Sequence, residues 1–339
     1  MKTKVVFRAD ASHELGFGHV ARICALIEEV TARGGEPVPL FGGDVRMVGS
    51  WARDRKIDAQ VKQWSPTELL HAVADPRVRT LVIDGPHIAN DVVPKLADKA
   101  TRVVLLDDIG HCSLGVTAVV NHNFHATALA SAYPGASHRL LGRRYLMLRR
   151  DIRRFQRGSC RPMSGARLRV VVTFGGSDPV GATARTLRLV PSDRPLDLVV
   201  IAGPGYRDDA ALEQAAAAAR DAGHLVDIRR APDDPGALFV TADAAICSAG
   251  GTLGELAYLG CPAVAFAIVP DQIVPARTQV RAGLIASGRT WCESDDDTLR
   301  ADLAAFLLDD TGRHEQRGRA LATADSDGAR RIVAEAIAA

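Results

Sequence analysis

Several common chemical signatures are missing from this sequence of 339 residues. None of its six cysteines forms a Cys-x-x-Cys pair and no Cys/His cluster has zinc-finger spacing, so a structural zinc site is not expected. The 42 basic residues nearly balance the 40 acidic ones, which gives no reason to expect nucleic acid as a partner. No apolar run approaches membrane-spanning length and no signal-peptide pattern opens the chain, so we expect a cytoplasmic protein without membrane insertion.

Well-known nucleotide and nucleophile motifs are also absent. No Gly-x-x-x-x-Gly-Lys-Ser/Thr run is present, which argues against a P-loop triphosphatase. No Gly-x-Gly-x-x-Gly is followed by an acidic residue about 20 positions later in a strand–helix–strand unit, so a dinucleotide cofactor is not indicated. The Gly-x-Ser-x-Gly elbow of α/β-hydrolases is missing too, and no Asp-x-Asp cluster follows a strand at a candidate donor site. We therefore expect neither a cofactor nor a metal.

The first half of the chain alternates apolar runs with helical periodicity. Val20–Arg33 has apolar residues at helical spacing and stops at a glycine pair. Five apolar runs predict strands, and most of them end in Asp, Asn or Gly: Val5–Ala9, Pro37–Phe41, Thr80–Ile83, Val103–Leu106 and Ala118–Val120. This pattern is typical of a parallel sheet with a polar rim at its carboxyl edge.

A stretch rich in Arg, Ser, Gly and Pro then interrupts the alternation, and we interpret Arg157–Ala166 as an interdomain linker. A second unit follows that also opens with a strand and a glycine loop. Its predicted strands are Leu168–Phe174, Leu196–Ala202, Ala244–Cys247 and Ala263–Ala267, and its predicted helices are Asp209–Ala222 and Thr252–Leu259.

The sequence thus predicts an α/β protein with two doubly wound, Rossmann-like domains, residues 1–156 and 167–314, whose carboxyl edges face each other across a cleft. A helical tail, residues 315–339, breaks near Asp325–Gly328 and is expected to pack back on the first domain.

One turn in the first half places a histidine where ligands bind in open α/β sheets. The turn is Gly16-Phe17-Gly18-His19, and the helical stretch begins directly after it. A helix N-terminus attracts anions and disfavours an imidazolium, so a neutral His19 beside a bound phosphate would suit a general base. A tight turn carrying a surface histidine explains the same residues.

A second candidate site runs through Ser248-Ala249-Gly250-Gly251-Thr252 to Glu255. Its glycines expose backbone N–H groups at a predicted helix start, which suits a diphosphate. Thr252 and Glu255 could instead form a capping box, Thr-x-x-Glu, around an ordinary glycine turn.

This second stretch, continued to Asp271-Gln272, closely resembles the donor site of GT-B-fold enzymes that use UDP-sugars. One of these is the N-acetylglucosaminyltransferase that completes the peptidoglycan lipid precursor. The resemblance implies that the glycines hold the diphosphate, the glutamate binds ribose hydroxyls and the acidic-x-Gln segment contacts the sugar. By that resemblance the roles belong to Gly250, Gly251, Thr252, Glu255, Asp271 and Gln272.

The whole chain also resembles the UDP-sugar hydrolases of pseudaminic acid biosynthesis, which release UDP from UDP-2,4-diacetamido-2,4,6-trideoxy-β-L-altropyranose. The matching pieces occur in order: Arg8 to Arg22 with Gly16-Phe17-Gly18-His19, Leu81 to Asp84, Val104 to Asp108, Val120-Asn121, Gly142-x-x-Tyr145-x-x-Leu148-Arg149, and Thr173 to Asp178. One piece departs from the family, since Asp84 is followed by Gly85-Pro86-His87 where family members have His-Tyr. The departure bears on which sugar is bound.

The resemblance implies an inverting hydrolysis of a UDP-sugar in which a neutral His19 takes a proton from water. Asp10 and Asp84 would orient His19 or hold sugar hydroxyls, although strand-end aspartates also cap turns. The other residues expected to bind substrate are Arg8, Gly16, Phe17, Gly18 and Asp107 near the sugar, and Gly175, Gly176, Ser177, Ser248 and Ala249 near the phosphates.

Two other functions share these features. A GT-B glycosyltransferase would use the same donor site and pass the sugar to an acceptor, and a sugar-nucleotide-binding regulator would keep the fold without catalysis. In each case the expected partner is a UDP-sugar, and we expect a monomer or a weak homo-oligomer.

Overall fold

The computed structural model describes residues 3–96, 101–110, 114–160 and 167–337. The chain divides into two compact units, one made of Met1–Arg149 with Asp325–Ala339 and the other of Arg150–Ala324. Of the linker predicted at Arg157–Ala166, residues 161–166 lie outside the described residues.

The first unit contains a seven-stranded parallel sheet in the order β3-β2-β1-β4-β5-β6-β7. Its strands are β1 (Lys4–Ala11), β2 (Glu36–Gly43), β3 (Gln60–Val61), β4 (Val78–Asp84), β5 (Arg102–Leu106), β6 (Val116–Asn121) and β7 (Ala136–Leu141). The strand order reverses between β1 and β4, because the chain moves outward from β1 to β3 and then returns to pair β4 with β1.

Helices cover both faces of this sheet. Phe7 and Val82 point to the face covered by α1, whereas Val6 and Leu81 point to the opposite face, as the period of two along a strand requires. The helices are α1 (Gly18–Ala32), α2 (Val45–Asp54), α3 (Pro66–Ala72) and α4 (Pro86–Val92), with 3-10 segments at Val93–Leu96, Ala126–Ala132 and Arg143–Tyr145. The inner strands are therefore buried on both sides, which explains why most of their residues are apolar.

The second unit contains a six-stranded parallel sheet in the order β10-β9-β8-β11-β12-β13. Its strands are β8 (Leu168–Thr173), β9 (Leu196–Ala202), β10 (Leu225–Arg230), β11 (Ala244–Ser248), β12 (Ala263–Ala267) and β13 (Ala286–Thr290). This sheet reverses its order between β8 and β11, so both units are doubly wound.

The helices of the second unit are α5 (Arg150–Arg153), α6 (Ala182–Leu189), α7 (Asp209–Asp221), α8 (Pro235–Phe239), α9 (Thr252–Leu259), α10 (Ile273–Arg281), α11 (Asp296–Leu308) and α12 (Asp310–Leu321). Single 3-10 turns occur at Pro270–Gln272 and Trp291–Glu293. Within the described ranges of the whole chain, no helix combines the length and the apolar character needed to cross a membrane.

After α12 the chain becomes part of the first unit again, through α13 (Gly328–Ile332) and a π-helical turn at Val333–Ile337. The Tyr145 hydroxyl donates to Glu335 Oε2 at 2.8 Å, and the Thr80 hydroxyl donates to the Ile337 carbonyl at 3.1 Å. Tyr145, one residue of the resemblance, is thus buried and used in packing.

Candidate active site

Each unit presents a different set of side chains at the point where its strand order reverses. In the first unit the β1/β4 edge carries His19, Asp84 and their charged neighbours. In the second unit the β8/β11 edge carries glycine loops that start at Gly175 and Gly250. In open α/β sheets, ligands bind outside the carboxyl ends of the strands at such reversals.

The turn that follows β1 fixes the start of α1. The Gly16 N–H donates to the Ser12 carbonyl at 2.8 Å, and Gly16 has φ +71°, a conformation that L-residues with side chains rarely adopt. Phe17 precedes the helix, and its buried ring packs on Trp51 with centroids 5.5 Å apart. The Phe17 side chain, which we expected near the substrate, is therefore a core anchor. Gly18 is the exposed first residue of α1, and His19 is its second.

The structure brings His19 and Asp84 together across 65 residues of sequence. His19 Nδ1 lies 2.6 Å from Asp84 Oδ1, so the imidazole donates from Nδ1 to the carboxylate and Nε2 is left as the basic nitrogen. The Asp84 side chain is fully buried, while 29% of the His19 side chain is exposed. A carboxylate beneath an accessible imidazole is the arrangement of a general base.

Arg22, which the sequence reasoning did not assign, holds Asp84 in place. Its Nε donates to Asp84 Oδ2 and its Nη2 to Asp84 Oδ1, both at 2.6 Å, in the bidentate geometry that is strongest for this pair. Arg22 lies three residues after His19, one turn along the same helix. That spacing was the signal in the sequence, because the two polar residues interrupt a run that is otherwise apolar from Gly18 to Ile27.

The other arm of Arg22 reaches Asp108. Arg22 Nη1 donates to both Asp108 oxygens at 2.8 Å, and Asn123 Nδ2 donates to Asp108 Oδ1 at 2.7 Å. His122 Nε2 lies 3.5 Å from Arg22 Nη1. Burial and the charge of Arg22 lower the pKa of His122 to about 4, so this second histidine is neutral.

The negative charge of Asp84 raises the pKa of His19 above its usual value, outweighing burial and the charge of Arg22, which both lower it. We had expected the helix N-terminus to keep His19 neutral; that expectation was wrong in direction because the buried carboxylate is closer and carries a full charge. Burial opposes ionisation of Asp84, yet the Arg22 charge and then His19 hold its pKa well below the usual range.

Asp10 does not contact His19 in this arrangement. Its Oδ1 accepts from Arg8 Nη1 at 2.5 Å, and its Oδ2 lies 3.5 Å from His87 Nε2. Asp107, which we expected at the substrate, is buried, and its Oδ1 accepts from the backbone N–H of Ile109 at 3.1 Å. At the end of β5 it is therefore Asp108 that reaches the charged network, while Asp107 closes a turn.

In the second unit, α9 begins at Thr252 with Gly251 as its N-cap. Because Thr252 is already helical, its hydroxyl is not in the N-cap position that the alternative of a Thr252–Glu255 capping box requires. The N-cap residue Gly251 has no side chain, and a helix N-terminus attracts anions.

Ser248, Gly175 and Gly250 lie together at this edge. A Cβ built on Gly175 would lie 4.0 Å from Ser248 Oγ, and one built on Gly250 would lie 3.8 Å from it. Gln272 Oε1 accepts from the Ile268 N–H at 3.0 Å, which leaves its amide nitrogen over Gly250, 3.3 Å from the position of a Cβ. The glycines thus let a hydroxyl and an amide nitrogen approach the helix start.

The other glycine loop precedes α6, and its helix is capped differently. Asp178 accepts from the backbone N–H groups of Ala182 and Thr183 at 2.8 and 2.7 Å, so its carboxylate already occupies the N-terminus of α6. Gly176 accepts from the Gly205 N–H at 2.7 Å, which ties the loop to the end of β9. The N-cap of α9, by contrast, is a glycine without a side chain.

The remaining predicted residues of this edge differ in burial. Ser177 and Ala249 are buried, each with 4% of its surface exposed. Glu255 is half-buried in the first turn of α9, and Asp271 is exposed on the 3-10 turn after β12.

No protein family model matches this sequence. The uncharacterized protein MJ1062 of Methanocaldococcus jannaschii is 22% identical over 267 residues, 77% of this chain and 55% of that protein. The match therefore spans about half the length of this relative.

Solved structures resemble the whole chain. MurG of Acinetobacter baumannii superposes with a TM-score of 0.70 at 16% identity, over 100% of both chains. UDP-GlcNAc 2-epimerase of Neisseria meningitidis, solved with UDP-GlcNAc, has a TM-score of 0.61 at 11% identity, over 98% of this chain and 99% of its own. The glycosyltransferase SnogD of Streptomyces nogalater has a TM-score of 0.60 at 17% identity, over 99% of this chain and 100% of its own. With its two parallel sheets of seven and six strands, the chain has the GT-B fold of these proteins.

Proposed function

We propose that this protein is a nucleotide-sugar hydrolase that cleaves the anomeric C–O bond of a UDP-sugar and releases free sugar and UDP. The observation that carries the proposal is the contact of His19 Nδ1 with the buried Asp84, which leaves Nε2 as a base at a ligand-binding edge. The resemblance of the sequence to UDP-sugar hydrolases of pseudaminic acid biosynthesis supports the same reaction.

In this proposal His19 Nε2 takes a proton from a water molecule as the water oxygen attacks the anomeric carbon. The bond from that carbon to the phosphate oxygen breaks, and its electron pair leaves with UDP. Attack opposite the leaving group inverts the configuration. The two carboxylates of ordinary glycosidases are not required, because His19 is the base and the diphosphate leaves without a general acid. Asp84 stabilises the imidazolium that forms, and Arg22 keeps Asp84 ionised throughout.

The second unit binds UDP in this proposal. The start of α9, with Gly251 as its N-cap, directs its N-terminal dipole at the diphosphate, where it stabilises the charge that develops on the leaving group. Ser248 and the amide nitrogen of Gln272 add donors at the same edge. Glu255 accepts from a ribose hydroxyl.

The same base could instead deprotonate an acceptor hydroxyl, and the fold likeness to the glycosyltransferase SnogD favours this second function. The two are separated by incubating the protein with UDP-N-acetylglucosamine and with UDP-2,4-diacetamido-2,4,6-trideoxy-β-L-altropyranose, without any acceptor. A hydrolase releases UDP and an equal amount of free sugar. The anomer of the sugar that appears first in the NMR spectrum has the configuration opposite to that of the substrate. UDP release that begins only when an acceptor is added contradicts hydrolysis and supports transfer.

A further inference from the structure

The β1/β4 edge carries a second array of the same three residue types. In the array already described, an accessible His19 contacts a buried Asp84 that is held by Arg22. On the neighbouring strand ends, His87 faces Asp10, whose other oxygen is held by Arg8.

In the second array, as in the first, the imidazole is the most exposed of the three side chains. The exposed fractions of the side chains are 61% for His87, 15% for Asp10 and 6% for Arg8. The imidazole is therefore outermost, the carboxylate lies beneath it and the guanidinium is deepest. This gradient places a hydrogen-bonding ring at the surface on a fixed, charged support.

In each array the histidine follows one strand and faces the aspartate of the other strand, and the two arrays lie on opposite faces of the sheet. His19 follows β1 but contacts the aspartate of β4, whereas His87 follows β4 and faces the aspartate of β1. Ala9 pairs in register with Asp84, so Asp10 is one residue further along its strand and points to the other face. The two imidazoles therefore approach the same edge from the α1 side and the α4 side.

Two glycines make room for the second array. A Cβ on Gly42 would collide with Asp10 Oδ1 and come within 2.9 Å of Arg8 Nη2. A Cβ on Gly85 would lie 2.9 Å from Cε1 and 3.2 Å from Nδ1 of the His87 ring. Gly85 belongs to the segment that departs from the hydrolases the sequence resembles, and in this structure that departure accommodates the ring.

The buried arginine carries a cost that its ion pair does not remove. Arg8 Nε is buried and has no hydrogen-bond partner among the described residues, although Nη1 bonds both Asp10 and the Ala9 carbonyl. An unsatisfied buried donor destabilises the folded state. Local violations of this kind are expected where a site has a function.

We propose that His87, oriented by Asp10, is a second substrate-contacting residue, which binds the sugar of the nucleotide-sugar and determines which sugar is accepted. The proposal rests on the proposed function. Because Nε2 faces Asp10, Nδ1 is the acceptor, and its partner is a sugar hydroxyl or an acylamino N–H. A site built to accept such a hydrogen bond discriminates against sugars that lack the donor.

The test measures binding rather than turnover, so that it does not depend on hydrolysis. In a His19→Ala background, calorimetry gives the Kd of UDP and of the two UDP-sugars named above. The ratio of the Kd of UDP to the Kd of a UDP-sugar reports the contribution of the sugar to binding. Adding His87→Ala should raise the Kd of the preferred UDP-sugar roughly three- to tenfold and leave the Kd of UDP unchanged. Gly42→Ala, which displaces the Asp10 carboxylate and keeps His87, should shift the ratio in the same direction.

His71→Ala, which removes an exposed histidine from α3 of the same unit, is the matched control and should change neither Kd. An unchanged ratio in both His87→Ala and Gly42→Ala overturns the proposal, and so does an equal loss of affinity for UDP and the UDP-sugars. Failure of the proposed function gives a different result, since it would appear as wild-type protein that releases no UDP.

Discussion

The two strand-reversal edges have the same topology but carry opposite kinds of chemistry. At the β1/β4 edge the side chains are charged and closely coupled, with Arg22 bonded to two carboxylates and one of these bonded to His19. At the β8/β11 edge the loops bring small polar groups close to Gly250, and the N-cap of α9 is a glycine. One edge is suited to moving a proton, and the other to holding an anion.

The difference shows how a doubled fold divides its tasks. A glycine loop binds charge through backbone N–H groups, which do not titrate, so its affinity for an anion varies little with the protein's own protonation. The His19–Asp84 pair titrates, and its chemistry depends on the pKa that Asp84 and Arg22 set. Substitutions at the β1/β4 edge should therefore change turnover and its pH dependence, whereas substitutions at the β8/β11 edge should weaken the binding of UDP.

His19→Ala should have the largest effect. Removing the base should lower turnover by about 10²- to 10⁴-fold, and the Kd of UDP should stay unchanged because the diphosphate is held at the other edge. Steady-state UDP release and calorimetry with UDP measure the two quantities, with His71→Ala as the matched control. Undiminished turnover in His19→Ala would rule out this residue as the base.

Arg22→Met should destabilise the protein and change the pH profile. The buried Asp84 and the half-buried Asp108 lose their common partner, and breaking a buried pair such as Arg22–Asp84 costs about 3–5 kcal/mol of unfolding free energy. Arg22 lowers the pKa of His19, so without it that pKa rises further and the acid limb of kcat/KM moves to higher pH.

Arg22→Lys keeps the positive charge but cannot bond both carboxylates through a planar fork, so it should retain most of the pH profile and only part of the stability. Denaturant unfolding and the pH dependence of UDP release measure the two effects. Arg33→Met, at the exposed end of α1, is the control and should cost less than about 1 kcal/mol. An acid limb that stays in place in Arg22→Met contradicts the assigned electrostatic role.

Gly251→Ala should affect the other edge only. Gly251 has φ −57° and open space where a Cβ would stand, so alanine fits the protein but shields the start of α9 from an anion. The Kd of UDP should rise about tenfold, equivalent to about 1.4 kcal/mol, with the acid limb of the pH profile unmoved. Gly318→Ala, also without a neighbour within 4 Å, is the matched glycine control in α12. If Gly251→Ala lowers turnover without raising the Kd of UDP, the diphosphate does not bind at α9.

Glu255→Gln should give the smallest loss. A carboxylate is a stronger acceptor than an amide, so UDP binding should weaken by about 1 kcal/mol if Glu255 accepts from the ribose. With 2′,3′-dideoxyuridine diphosphate, which lacks both hydroxyls, wild type and variant should bind equally. A difference that persists with this analogue indicates an effect on the helix start rather than on ribose.

The strands show which part of the fold can be predicted from the sequence. All nine inner strands were predicted, and the four that were missed, β3, β7, β10 and β13, are the four edges of the two sheets. Inner strands of parallel sheets are buried on both faces and are therefore mostly apolar, whereas the edge strand Ala136–Leu141 has three exposed polar residues in a row and lacks that signal.

The candidate site also has features that can be predicted from the sequence and features that cannot. The sequence by itself determined the doubly wound units, the turn that ends at His19 and the glycine loop at Gly250, because these depend on local pattern and backbone conformation. Only the tertiary structure decided that His19 bonds Asp84 rather than Asp10, that Arg22 joins Asp84 to Asp108, and that the Asp178 carboxylate occupies the N-terminus of α6. Side-chain pairs 62 to 86 residues apart meet only because parallel strands bring their carboxyl ends to one edge, and burial there turns these pairs into a pKa shift.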